Sequence, residues 1–246
     1  MLGRYLCAAA TVLALTVALP VPGKTVAPGL IALYTFNGTL HDASGNGKTA
    51  KSTGTPTYVS GAPFGGKALS FDGSGKAIVT APLNISVKAL PQVTFGAWVM
   101  AGSVATPQYG LISNDDGGYD RTLDIDNRDP SPGTNWSAFI GGGVVGSVPA
   151  VTNRWVFLVV SYDQSSLPGT YALYVNDGSR TTVLNGADNF DSDSVTARVT
   201  IGSNPNFDHA FKGKIANAFF YNGILTRDQI DAIGAKGPSA IPGYKK

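Results

Sequence analysis

Ala68-Leu69-Ser70-Phe71-Asp72-Gly73-Ser74-Gly75-Lys76-Ala77-Ile78-Val79-Thr80 decides the fold class. Two short β-prone apolar runs, 68–71 and 77–80, flank a turn in which glycine supplies positive φ at no steric cost. The same unit recurs along the chain. Upstream, Leu30-Ile31-Ala32-Leu33-Tyr34-Thr35-Phe36 reads as a strand stopped by Asn37-Gly38. Downstream, 93–99, 109–113, 122–126, 136–140 and 155–163 share its character. Residues 171–175 run into Asn176-Asp177-Gly178, a strong hairpin signal, and 199–201 and 215–221 close the series. One short helix is expected. Thr226 caps it, Gln229 completes a capping box, Ile230 and Ile233 form the buried stripe, and Gly234 or Gly237 ends it. Roughly ten or more short strands and one terminal helix indicate an all-β fold, a two-sheet antiparallel β-sandwich.

Composition sets the outer bounds. The 246 residues fit one large all-β domain, and 43% hydrophobic residues are enough for a sizeable core. Charged residues make up only 14%, against about 25% in typical globular chains. The net charge of +2 comes from scattered residues with no Lys/Arg stripe, so no nucleic-acid partner is expected. Arg4 precedes an apolar run, Leu6 to Leu19, of signal-peptide length and too short to span a bilayer. Residues 1–24 are therefore read as signal peptide and start of linker, and 25–246 as the folded domain. The expectation is a secreted protein with no membrane insertion after signal removal. Cys7, the only cysteine, lies in the signal, so the mature chain has no thiol and must rely on core burial or bound metal.

Six motifs in order carry a family resemblance. They are 34–38 followed by Asp42-Ala43-Ser44-Gly45-Asn46-Gly47; Phe64-Gly65-Gly66-Lys67-Ala68-Leu69-Ser70-Phe71-Asp72-Gly73, the most specific; Thr94-Phe95-Gly96-Ala97-Trp98-Val99; Trp155 through Asp163; Leu173 to Gly178; and Phe211-Lys212-Gly213-Lys214-Ile215 with Leu225-Thr226 and Ile230. Together they resemble the laminin-G-like, or concanavalin A-like, superfamily over nearly the whole mature chain. The resemblance implies a jelly roll, often with one calcium ion, in lectins, adhesion modules and enzyme-appended carbohydrate-binding domains. The fold alone does not fix a function. Relatives often carry an acidic pair just after the Ile of the closing strand, where this chain has Ala216 and Asn217. On the resemblance, the expected calcium ligands are Asn37 and Asp42 of the first loop, with Asn217 in place of a familial acid.

The chemistry available is narrow. All sixteen acidic residues are aspartate. The E-x-D-x-E strand of laminarinase-type hydrolases on this fold therefore cannot occur, and no enzyme is expected. Asp124 and Asp126 share a strand face and paired carboxylates can hydrolyse glycosides, but aspartates near turns more often cap turns or bind ions. His41 and His209 lack zinc spacing, and no G-x-S-x-G accompanies either. Asp115, Asp116, Asp120, Asp124, Asp126 and Asp129 crowd fifteen residues together with Arg121 and Arg128; Asp115-Asp116-Gly117-Gly118 reads as a hairpin turn.

A sugar's apolar face stacks on an aromatic ring while carboxylates and amides take its hydroxyls. Tyr109, Tyr119 and Phe207 are the loop candidates for stacking, with Asp116 and Asp120 for hydrogen bonding. Trp98, Trp155 and Trp136 are assigned to the core. Three glycosylation sequons start at Asn37, Asn84 and Asn135; Asn37 cannot carry a glycan and also ligate calcium through its side chain. The leading expectation is a calcium-supported, non-catalytic carbohydrate-binding or adhesion module whose partner is an extracellular glycan or glycoprotein. The alternative is a structural extracellular protein that assembles as a homo-oligomer or binds protein partners. A polysaccharide-degrading enzyme ranks last.

Overall fold

The computed structural model describes residues 27–105, 108–117, 120–129, 132–139, 143–188 and 198–245. The expected signal segment, with Cys7, and Tyr119 lie outside them. Two antiparallel sheets pack face to face. The larger contains β1 (Gly29–Tyr34), β3 (Thr57–Ser60), β4 (Lys67–Asp72), β6 (Gln92–Ala101), β11 (Val156–Asp163), β12 (Gly169–Asn176), β13 (Thr181–Asp188) and β15 (Lys212–Asn222). Its order is β13-β12-β11-β6-β15-β4-β3, with β1 also paired to β15. The smaller contains β2 (Lys51–Ser52), β5 (Val79–Ala81), β7 (Gln108–Ser113), β8 (Thr122–Asp126), β9 (Asn135–Phe139), β10 (Val144–Pro149) and β14 (Val199–Ile201), in the order β10-β9-β8-β7-β14-β5-β2. The all-β sandwich is as the sequence implies.

Period-two alternation builds the core. On β11, Val156, Leu158, Val160 and Tyr162 face the other sheet, while Phe157 and Val159 face away. On β6, Phe95 turns inward, 5.8 Å from Phe220 and 6.0 Å from Tyr162, ring to ring. The outer face of the larger sheet is capped by α1 (Arg227–Lys236), which lays Ile230 and Ile233 over Trp98, Phe157 and Phe219. Its capping box forms: the Gln229 amide donates to Thr226 Oγ1 (3.3 Å) and the Thr226 amide to Gln229 Oε1 (2.8 Å). Of the two expected stops, Gly237 is the one used.

Some local readings change. The Asp72–Gly75 turn joins strands of different sheets: β4 pairs with β15 and β3, and β5 with β14 and β2. Strands β10 and β13 went unread because Gly146, Pro149 and Asn185-Gly186 interrupt their patterns. Both are outermost in their sheets, where such residues cost least. Trp136 and Trp98 are buried, but Trp155 is only half buried, its indole N–H donating to the Gly61 carbonyl (3.1 Å) at the rim.

Candidate functional site

The outward face of the smaller sheet is polar and largely buried. On β8, Leu123 and Ile125 enter the core, so Thr122, Asp124 and Asp126 project the other way. Register extends this into rows. Asp124 lies between Gly110 and Ser137, and Asp126 between Gln108 and Asn135. A loop over 202–209 folds onto β7 beside them. Its approach requires Gly110, where a Cβ would come within 2.6 Å of the Ser203 carbonyl carbon. Asn204 Oδ1 accepts from the amides of Asp208 and His209, which turns His209 towards the aspartates.

The result is a cleft whose inner part is walled by Asp115, Asp124, Asp126 and Phe139. Its outer part, about 310 Å³, is bounded by Asn204, Asn206, Asp208 and His209. Arg128 spans the two. Its Nε lies 3.1 Å from both Asp126 oxygens, its Nη2 is 2.6 Å from Oδ2, and the guanidinium carbon stands 5.0 Å from the Phe139 ring centre. Turned so that its nitrogen faces His209 Nε2, the orientation its neighbours favour, the Gln108 amide bridges His209 and the Arg128 guanidinium (2.8 Å to Nε). His209, Gln108, Arg128 and Asp126 thus form one hydrogen-bonded line along the cleft.

Asp124 differs from its neighbour two residues on. Burial pushes its carboxyl well above the usual carboxylate range; the Thr122 hydroxyl, which donates to it, pulls the other way, and Asp126 and Asp115 add to the rise. A protonated Asp124 both donates and accepts, whereas the ion-paired Asp126 accepts only. The inner part is too tight to admit a water molecule, so the groups open to a ligand are those of the outer part. There Arg128, Asn204, Asn206, Asp208 and His209 offer donors and acceptors beside the Phe139 ring, which suits a polyhydroxylated ligand.

The residues named from sequence fare unevenly. Tyr109 is not an exposed platform: alternation with Gln108 sends its ring inward, in register with Ile125 and packed on Phe211 at 6.4 Å. Asp120 is also buried, at 2% exposure, too deep to meet a ligand on a loop surface. Asp116 is half buried in the turn, its carbonyl accepting from the Asn206 side chain (3.1 Å). Asp115 is the turn's cap, accepting from the Gly117 amide (2.8 Å), and also lines the cleft. Phe207 is exposed on the cleft-side loop, with Arg198 5.7 Å from its ring centre. Asn37 and Asn84 are exposed, whereas Asn135 is buried in β9 with its amide on Asp129 (3.2 Å), which rules it out as a glycan acceptor in the folded chain. The sequence offers His209 neither zinc spacing nor a triad, and nothing in it singles out Gln108 or Asn204; only the strand register and the folded loop bring them to the aspartates.

The expected calcium ligands do not come together as a cation site. Asp42 already accepts three amide N–H groups, from Leu33 (3.0 Å), Ser44 (2.9 Å) and Lys48 (3.0 Å). Burial would raise its pKa, but these bonds and the Ser44 side chain hold it below the ordinary value. Asn37 and Asn217 do share a pocket, but it also holds Lys67 and Lys236, and no carboxylate lines it among the described residues. A calcium ion needs six to eight oxygens at about 2.3–2.6 Å and gains most from anionic ones. These residues do not fit it. Among the described residues no group of three or more His, Cys, Asp or Glu is placed to hold a metal.

Two antiparallel sheets packed face to face define the class of jelly-roll β-sandwich domains. Residues 71–231 match the model of the concanavalin A-like lectin/glucanases superfamily, and the chain belongs to that family. No curated protein sequence matches it. Among solved structures it is similar to domain 4 of AbnA, a GH43 extracellular arabinanase from Geobacillus stearothermophilus, in complex with arabinotriose. That match has a TM-score of 0.61 and 22% identity, covering 82% of this chain and 97% of that one. It is also similar to the botulinum neurotoxin serotype G binding domain (TM-score 0.60, 13% identity, 83% of this chain) and to the binding domain of Paraclostridial Mosquitocidal Protein 1 (0.59, 13%, 83%). The chain spans about half the length of those toxin domains, 50% and 51%. At these identities the likeness shows the fold.

Proposed function

We propose that the protein is a secreted, non-catalytic carbohydrate-binding module that takes a saccharide in the outer part of the aspartate cleft, between Arg128 and the loop of Asn204 to His209. The observation that carries this reading is the gathering of His209, Gln108 and the ion-paired Arg128 and Asp126 in one cleft on the outward face of the smaller sheet. The likeness to an arabinanase domain crystallised with arabinotriose supports saccharide as the ligand class. The non-catalytic reading rests on both Asp126 oxygens being held by Arg128, and on Asp124 being 7% exposed, with little room for an attacking water. Titration calorimetry against neutral oligosaccharides, arabinotriose first, tests the proposal. His209→Ala should weaken binding about tenfold, the loss of one good hydrogen bond and its packing. Release of reducing ends that disappears in Asp124→Asn would overturn the non-catalytic part. Concentration-dependent self-assembly in light scattering, without any glycan response, would favour the structural alternative.

A further inference from the structure

The pocket at the end of α1 has an origin in the sheet. Strand β15 pairs with β4 as far as Ile215↔Leu69, and with β1 from Ala218↔Tyr34 onward. The two neighbours lie end to end along one side of β15 without meeting. At the gap the register of β15 against β6 slips by one residue between Ala216 and Phe219, a bulge that leaves Asn217 at φ 52°. Asn217 is 7% exposed and lines the pocket, and its side chain makes no hydrogen bond among the described residues.

The remaining walls agree with one kind of ligand. Lys67, at the start of β4, and Lys236, in the last turn of α1, both line the pocket, which measures about 450 Å³. Asn37 stands beside them, its Oδ1 accepting from the Lys67 amide (3.2 Å). Phe64 presents a ring that is 54% exposed, set edge-on to Trp98 at 5.3 Å. That seat is built for the ring: at Gly237, φ 78°, a Cβ would fall 2.7 Å from Phe64 Cγ. Of the five non-glycine residues with left-handed backbone among those described, Phe64 and Asn217 line the pocket and Phe36 adjoins it. Such strain concentrates where side chains are held for a ligand.

We propose that this pocket binds an acidic saccharide, a pyranose carrying a carboxylate. The two lysines take the carboxylate, the Asn217 and Asn37 amides take ring hydroxyls, and the Phe64 ring takes the apolar face of the sugar. A bare inorganic anion would leave the ring unused, and a neutral sugar would leave the lysines unused. The site is separate from the aspartate cleft and does not depend on saccharide binding there.

The test is calorimetry of the full mature chain with tri-galacturonate in chelator, so that no calcium bridges the ligand. Binding is expected, weaker by about tenfold or more for the methyl-esterified trimer and for the Lys67→Gln/Lys236→Gln double variant. Phe64→Ala should weaken both trimers. Asn217→Asp, which adds a carboxylate to the pocket that competes with the sugar's own for the lysines, should abolish acidic-sugar binding, with melting checked in parallel. His209→Ala should leave tri-galacturonate binding unchanged. No binding, equal affinity for the esterified trimer, an unaffected lysine double variant, or competition by millimolar phosphate alone would each overturn the proposal. Loss in His209→Ala instead would move the acidic sugar to the cleft and overturn it too.

Discussion

The cleft on the smaller sheet and the pocket at the β15 bulge are both polar, but they hold charge in opposite ways. In the cleft, Asp126 is 1% exposed and depends on Arg128 for compensation, and burial pushes the Asp124 carboxyl well above the usual carboxylate range. In the pocket, Lys67 and Lys236 are exposed and already solvated. Buried charge costs several kcal/mol unless it is paired, so cleft residues carry stability and function together. Exposed charge contributes little to folding, so the lysines are separable from stability. Mutations should therefore read differently at the two sites.

The largest effect should come from Arg128→Ala. It strands a buried carboxylate and should cost about 3 kcal/mol in urea unfolding, below the figure for a fully buried pair because Arg128 itself is 40% exposed. A loss under about 1 kcal/mol would show that the cleft's charge is as separable as the pocket's. Asp42→Ala, in the loop below β1, removes the acceptor of three backbone amides and should cost about 1–2 kcal/mol. Gly237→Ala should cost about 1 kcal/mol through its positive φ and displace Phe64, so that it impairs the pocket while leaving the cleft intact. Lys67→Gln and Lys236→Gln should each stay within about 0.5 kcal/mol, and a larger change would mean that they too are structural.

Titration sharpens the same contrast. Asp124 keeps its proton in the native state at a pH where the unfolded chain has released it, so stability should fall as pH rises through the ordinary carboxylate range and level off above Asp124's raised pKa. Asp42 acts in the opposite sense: its contribution is present above the ordinary carboxylate pKa and is lost as pH falls through its lowered one. Urea midpoints measured across that range should show both slopes. Asp124→Asn should remove only the first and Asp42→Asn only the second.

Legibility followed the range of the forces involved. The β8 pattern Thr122-Leu123-Asp124-Ile125-Asp126 already places the aspartates on one face, because alternation is local. The α1 cap is equally local, from Thr226 to Gln229. His209 lies 83 residues beyond Asp126 (209 − 126) and reaches the cleft only through Asn204 and the loop folded over Gly110. Tyr109 illustrates the reverse error: an aromatic in turn-rich sequence reads as exposed until register assigns it to the inner face.

What the sequence determined by itself was whatever nearest neighbours enforce: short alternating strands, glycine and asparagine turns, one capped helix, and an acid inventory of aspartate alone. Tertiary structure decided which turn crosses between sheets, which carboxyl is buried enough to keep its proton, and where β15 exchanges β4 for β1 and opens a pocket at Asn217. Those outcomes depend on burial and on pairing between distant segments, and neither is encoded in the spacing of residues along the chain.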